Sequence, residues 1–294
     1  MATPCEGDVG EGGDSEGELV ALRRDDGETL RYRVWRAAQP RATAVFFNGI
    51  MSHSGWFAPL VPALREAGIT MVGADRRGSG PNASGRGDAA SAAVLVGDAQ
   101  AILAAESVPS RPLVVVGWCW GAILALHAIH GASVPIDALV LVTPGLLPSA
   151  EVRTAAAQGL QQAQGHADDE PCVPTPIRDT LFTQGPALEG FIRADPLRLL
   201  AITPRFATLS GKLAALALAR LPRLELPTLL VLAEHDGATD NAATLAAFGR
   251  VAESRRRVVT LPTRHGVSFE APQQLAAAII AHTPAPGSAA PRTP

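Results

Sequence analysis

From Ala42 onward the chain alternates uninterrupted apolar runs with segments of helical length, and no other feature restricts the fold as much. "ATAVFFNGI", "ITMVGADRRG", "PLVVVGWCWG", "IDALVLVTPG", "PTLLVLAEHD" and "RRVVTLP" lack the polar alternation of a strand with one wet face, so they read as strands covered on both sides. Between them stand "FAPLVPALREAG", "SAAVLVGDAQAILAAE", "WGAILALHAIHG", the long stretch after Gly145, and "DNAATLAAFGRVAE". Buried strands alternating with helices predict an α/β chain built on a mainly parallel sheet, flanked by helices and joined by right-handed crossovers. Two earlier segments, "ELVALRR" and "TLRYRVWRA", show partial period-2 patterning around "DDGE" and predict an antiparallel hairpin ahead of the parallel strands.

One interval breaks the rhythm. Between Pro144 and Pro227 no convincing strand occurs, and "SAEVRTAAAQGLQQAQ", "PALEGFIRADPLRLLAI" and "RFATLSGKLAALALARL" read as helices joined by a polar loop around "GHADDEPCVPTP". A block of this size is too long for a crossover and predicts a helical cap inserted over the carboxyl edge of the sheet. The expected organisation is therefore an acidic disordered tail over 1–17, a core over 18–145 and 227–283, a cap over 146–226, and a Pro-rich tail over 284–294. With 294 residues, 47% of them apolar and 18% charged, the chain suits one α/β domain with an insertion.

The same numbers exclude several roles. Net charge is −3 and Lys212 is the sole lysine, with no basic stripe or aromatic ladder, so nucleic acid is not an expected partner. The apolar run Leu113 to Leu126 is too short for a bilayer and carries a glycine-bracketed turn, so no membrane span is expected. The N-terminal stretch has neither a basic start nor an apolar core and does not resemble a secretory signal. Cys5, Cys119 and Cys172 form neither a disulfide framework nor metal-ligand spacing, so a reducing, cytoplasmic setting without metal or cofactor is expected.

The chemistry concentrates in "VVVGWCWGAILALH". A strand ending in G-x-C-x-G and running straight into a helix has the pattern of a nucleophile elbow, in which two glycines let strand and helix approach while the apex side chain projects at the carboxyl edge of the sheet. The apex is Cys119, which could equally be a small buried hydrophobe. Order along the chain favours catalysis, because an acid on a later strand and then a histidine complete such a relay. Asp236 follows the run "LLVLAEHD", and His265 follows "VVTLPTRH". Asp240 is the alternative acid, lying further into the turn, and His235 is the only other histidine placed to compete.

From Ala42 to His282 these features resemble the α/β-hydrolase superfamily, and "FFNGIMSHSGWFAPLVPALREAGITMVGADRRGSG" resembles its monoacylglycerol-lipase-like branch with a helical cap. That branch carries His-Gly where this chain has Asn48-Gly49, and serine where it has Cys119. The resemblance implies an α/β-hydrolase fold, with the backbone N–H groups of Ile50 and Trp120 as the two oxyanion donors. It also implies structural bracing by Asp75 and Arg77. Cysteine at the elbow is known in dienelactone hydrolases and polyhydroxyalkanoate synthases, so the implied reaction includes both hydrolysis and synthesis.

The expected function is cleavage of an ester, lactone or thioester through a Cys119 acyl-enzyme, with His265 as base, Asp236 orienting it, and two N–H groups holding the oxyanion. Apolar stretches such as "LAALALARL" suggest a small apolar acyl substrate, with a carrier-bound acyl thioester among the candidates, and Trp118 and Trp120 would narrow the acyl slot if they face it, packing under the cap being the alternative for Trp118. Two alternatives stand beside this. One is an acyltransferase or cyclase that resolves the acyl-enzyme with an acceptor other than water. The other is a binding protein that keeps the fold without catalysis.

Overall fold

In the computed structural model, which describes residues 17–287, the expected hairpin pairs β1 (Glu18–Arg23) with β2 (Thr29–Trp35), Glu18 facing Val34 and Arg23 facing Thr29. Cys5, the acidic stretch through residue 16 and residues 288–294 of the Pro-rich end lie outside the described residues. Next come β3 (Ala42–Phe47), α1 (Val61–Glu66), β4 (Ile69–Ala74), α2 (Ala92–Glu106), β5 (Leu113–Trp118), α3 (Trp120–Ala128) and β6 (Ala138–Val142). The long interval holds α4 (Ala150–Gln162), β7 (Val173–Pro174), α5 (Pro186–Ala194), β8 (Ala201–Ile202) and α6 (Pro204–Arg220). The chain ends in β9 (Thr228–Ala233), α7 (Asn241–Phe248), β10 (Arg256–Leu261), α8 (Val267–Glu270) and α9 (Pro272–His282).

The strands form one eight-stranded sheet in the order β1-β2-β4-β3-β5-β6-β9-β10. Pairing is parallel from β4 through β10, while β2 meets β4 antiparallel. After β3 the chain adds β4 on one side and then returns to add β5 on the other. Such a reversal opens a crevice at the carboxyl ends of the two strands, where open α/β sheets bind ligands.

Strands β3, β4, β5, β6 and β9 are buried along their whole length, as their unbroken apolar runs require. β10 departs from that expectation. It is an edge strand, paired among the described residues with β9 alone, and half of "RRVVTL" is exposed. Every residue of α3 is buried, which explains why that helix is apolar all round.

Prolines moved two helix boundaries. The segment from Phe57 begins as a 3₁₀ turn over Ser54–Leu60, because Pro59 has no N–H to give an α-helical bond. Further on, α5 stops at Ala194, since Asp195 precedes Pro196 and takes an extended conformation. The chain beyond it forms β8, which pairs with β7, so the interval contains a small two-stranded element where none was expected. This interval is tied to the rest by Arg86, which donates to the carbonyl oxygens of Leu197 and Arg198, and by Asp88, which accepts from Thr203 and Arg205. No helix among the described residues is long and apolar enough to cross a membrane.

Candidate active site

Cys119 sits between the end of β5 and the start of α3 with φ 53° and ψ −120°. Among the described residues only Thr143 shares a positive φ without being glycine. A β-carbon in this region is strained, and the surroundings must hold it there. They do so through the Cys119 N–H, which donates to Val142 O at 3.0 Å, and through Cys119 O, which accepts from Ala122 at 3.1 Å and Gly145 at 2.9 Å. The two flanking glycines are steric necessities. A β-carbon on Gly117 would lie 2.5 Å from Ala122 Cα, and one on Gly121 would lie 2.0 Å from Phe47 O.

Cys119 faces a cavity of about 470 Å³. Ile50, Trp120 and Ile123 form part of its wall, and α4, α6 and the β7–β8 pair contribute further apolar side chains, among them Ala156, Ala207 and Ile202. Arg153, Ser210 and Thr239 supply its few polar side chains.

Asp236 and His265 meet beside this cysteine. Both side chains are fully buried, and His265 Nδ1 lies 3.0 Å from each Asp236 carboxylate oxygen. Asp236 also accepts from the N–H of Ala238 at 2.8 Å, the N–H of Thr239 at 3.1 Å and the Thr239 hydroxyl at 2.7 Å. Burial pushes the Asp236 carboxyl up, but the adjacent imidazole and these donors outweigh it and leave it below the usual carboxylate range. For His265 burial acts downward, while Asp236 and then Cys119 act upward and prevail, raising the imidazole to about 10. Its Nε2 is buried without a hydrogen bond of regular geometry.

Asp240 does not face His265. Its side chain accepts from Ala243 N–H at 2.9 Å and caps the start of α7. Asp240→Ala should therefore cost about 1 kcal/mol in a urea melt, the usual worth of such a cap, with turnover unchanged. A fall in turnover matching that of Asp236→Asn would reassign the acid. His235 is exposed. Of the remaining histidines, His53 bonds Asp195, His127 bonds Leu213 O, and His282 bonds Pro227 O.

The loop after β3 lies against the cysteine. A β-carbon on Gly49 would be 3.4 Å from Cys119 Cβ, an ordinary contact distance that makes the two residues direct neighbours. Ile50 follows at once, and α3 begins at Trp120, whose N–H is one of the orphan amides of a helix start. Ile50 and Trp120 thus come together at Cys119. Trp118 does not line the cavity. It is 2% exposed, stacks on His265 with centroids 6.1 Å apart, and donates from its indole to His265 O at 3.3 Å. Trp118 is the last residue of β5 and packs instead among Trp56, Phe57, Phe182 and Phe269.

Asn48, noted in the sequence only as a departure from His-Gly, and Arg76, which sequence reasoning passed over, also belong to this region. Asn48 donates to Gly49 O at 3.2 Å and to Ser52 O, and Arg76 donates to the carbonyls of Gly49 and Ile50. "ADRRG" offered two arginines, and nothing in the string says which turns inward. Asp75 accepts the Ser54 N–H at 2.8 Å, and Arg77 pairs with Asp98 and Asp26, consistent with the bracing expected of them.

Comparison with known proteins agrees with the topology. The family described as serine aminopeptidase, S33, matches residues 38–272, and the chain belongs to it. No protein of curated function matches the chain. Among solved structures, a soluble variant of monoglyceride lipase from Saccharomyces cerevisiae, in complex with a substrate analog, superposes with a TM-score of 0.78 at 16% identity, covering 96% of this chain and 100% of the other. A monoacylglycerol lipase from Paleococcus ferrophilus gives 0.72 at 17%, covering 86% and 99%. The thioesterase domain from the curacin biosynthetic pathway gives 0.63 at 16%, covering 90% and 99%. The fold is that of the α/β-hydrolases.

Proposed function

We propose that this α/β-hydrolase cleaves an ester, lactone or thioester of an apolar acid through a Cys119 acyl-enzyme. The observation that carries the reading is the strained Cys119, open to an apolar cavity and flanked by the buried His265–Asp236 pair. The sulfur attacks the acyl carbonyl carbon, and its proton resides on His265 Nε2. Charge on the carbonyl oxygen is taken by the N–H groups of Ile50 and Trp120. As the tetrahedral species collapses, the bond to the leaving group breaks and His265 gives that group its proton. Water then attacks the thioester, His265 accepts one of its protons, and the acid leaves as the Cys119 thiolate departs. Asp236 keeps Nδ1 protonated and so reserves Nε2 for these transfers.

Residues 146–226 act in this reading as a cap, with α4 and α6 holding the acyl chain. The monoglyceride lipases among the structural relatives support an apolar acyl substrate. A second reading is favoured by the cavity wall, which has few polar side chains to hold a water molecule. In that case an alcohol or amine, free or within the acyl chain itself, resolves the thioester.

Intact-mass analysis with activated esters and acyl thioesters, with and without amines, tests the proposal. The expected result is one acyl increment mapped to Cys119 and absent from Cys119→Ala. An increment on any other residue, or none with any ester, would overturn it.

A further inference from the structure

Arg76 leaves the end of β4 and turns inward, where it is 5% exposed. Nη1 donates to Gly49 O at 3.0 Å and Nη2 donates to Ile50 O. The guanidinium carbon also lies 4.9 Å from the ring centroid of Trp120 and 5.3 Å from that of Phe206. Burial pulls its pKa down to about 10, against the pull of Asp75, so the group stays a cation at neutral pH. Taking a charge out of water costs several kcal/mol, even after relaxation. A loop that merely needed closing already has a neutral donor in Asn48, which bonds the same Gly49 carbonyl.

We propose that Arg76 is a positioning residue that sets the oxyanion hole through the Gly49–Ile50 peptide, an inference that rests on the Cys119 acyl-enzyme reading. Gly49 C=O and Ile50 N–H belong to one planar peptide group. A cation bonded to that carbonyl oxygen fixes the peptide plane and draws electron density from the N–H at its other end, making it a stronger donor. The second bond, to Ile50 O, fixes the following peptide as well. The same guanidinium lies over the ring of Trp120, the residue that supplies the other donor. One side chain thus grips both residues that would face the oxyanion. Lysine cannot do the same, since its ammonium is a point charge without a fork.

Two reactions of the same sulfur separate this role from a structural one. Acylation by p-nitrophenyl butyrate passes through an oxyanion, whereas alkylation by iodoacetamide does not. Arg76→Met should slow acylation of the full chain by on the order of 10²-fold and leave the alkylation rate within the same order of magnitude. Arg76→Lys keeps a cation but loses the fork, and should recover part of the loss. Where the Met variant fails a thermal melt, Arg76→Lys alone carries the comparison, with acylation expected to fall and alkylation to hold. Equal losses in both reactions would mean that Arg76 acts on the thiol, and unchanged acylation would mean that it only packs. Either result overturns the inference while leaving the acyl-enzyme reading intact. A wild-type protein that is alkylated at Cys119 but never acylated overturns that reading, and this inference with it.

Discussion

His265→Ala is expected to lower turnover by on the order of 10³-fold or more, because in the proposed mechanism the thiol loses its proton acceptor and the leaving group its donor. Measurement of kcat with an activated thioester checks this, and near wild-type turnover would mean that another histidine serves. The stability effect is larger than for an ordinary loop position. His265 is fully buried and neutralises Asp236, and breaking a buried pair costs on the order of 3–5 kcal/mol. The lower end is expected, since Asp236 keeps its bonds from Ala238 and Thr239. His265→Gln fills more of the space and separates lost chemistry from lost fold. The stability difference also depends on pH. The folded-state pKa of about 10 lies above the ordinary 6.5, so the stabilisation from the imidazolium is fully present below pH 6.5 and is lost as pH rises through 10. Wild type and His265→Ala should therefore converge in urea melts as pH rises over that range, and a constant difference would contradict the assignment of the charge.

Cys119→Ser should leave a slow and mainly hydrolytic protein. Serine fits the elbow as well as cysteine does, since the strained backbone and the two flanking glycines are unaltered. Its pKa is far higher than that of a thiol, so His265 must take the proton during attack rather than before it. The acyl group is then carried as an oxoester, which amines attack less readily, relative to water, than they attack a thioester. If the natural reaction is transfer or ring closure, wild type forms transfer product from an acyl thioester and the serine variant forms mostly free acid. If it is hydrolysis, both form free acid and differ in rate alone. The ratio of transfer product to free acid in the two proteins decides the matter. Equal rates and equal ratios would show that the thiol was not the reason for cysteine at this position.

Much of this arrangement is legible in the chain because it depends on local, periodic or ordered features. Continuous apolar runs marked the covered strands, and G-x-C-x-G marked the one place where a strand must fold back on a helix at close range. The order cysteine, aspartate, histidine singled out residues that meet in three dimensions, although His265 is far from Cys119 in sequence. Legibility ended where the answer depended on which side of an element a residue faces. The strand in "RRVVTLP" looked buried, yet it lies at the sheet edge, because strand order is set by crossovers that its own residues do not encode.

What the sequence by itself determined was the parallel α/β plan, the elbow at Cys119 and the short set of candidates around it, all properties of residue type and spacing. Sequence order favoured Asp236 over Asp240 without separating their surroundings, and only the turn geometry shows one carboxylate aimed at His265 and the other capping a helix. It also sent Trp118 behind His265 and Trp120 into the cavity, and turned Arg76 inward to the Gly49 and Ile50 carbonyls while Arg77 pairs outward with Asp98. Adjacent residues of like chemistry carry no local mark of direction. Their roles follow from which face of the sheet, and which neighbouring backbone, the completed fold presents to each.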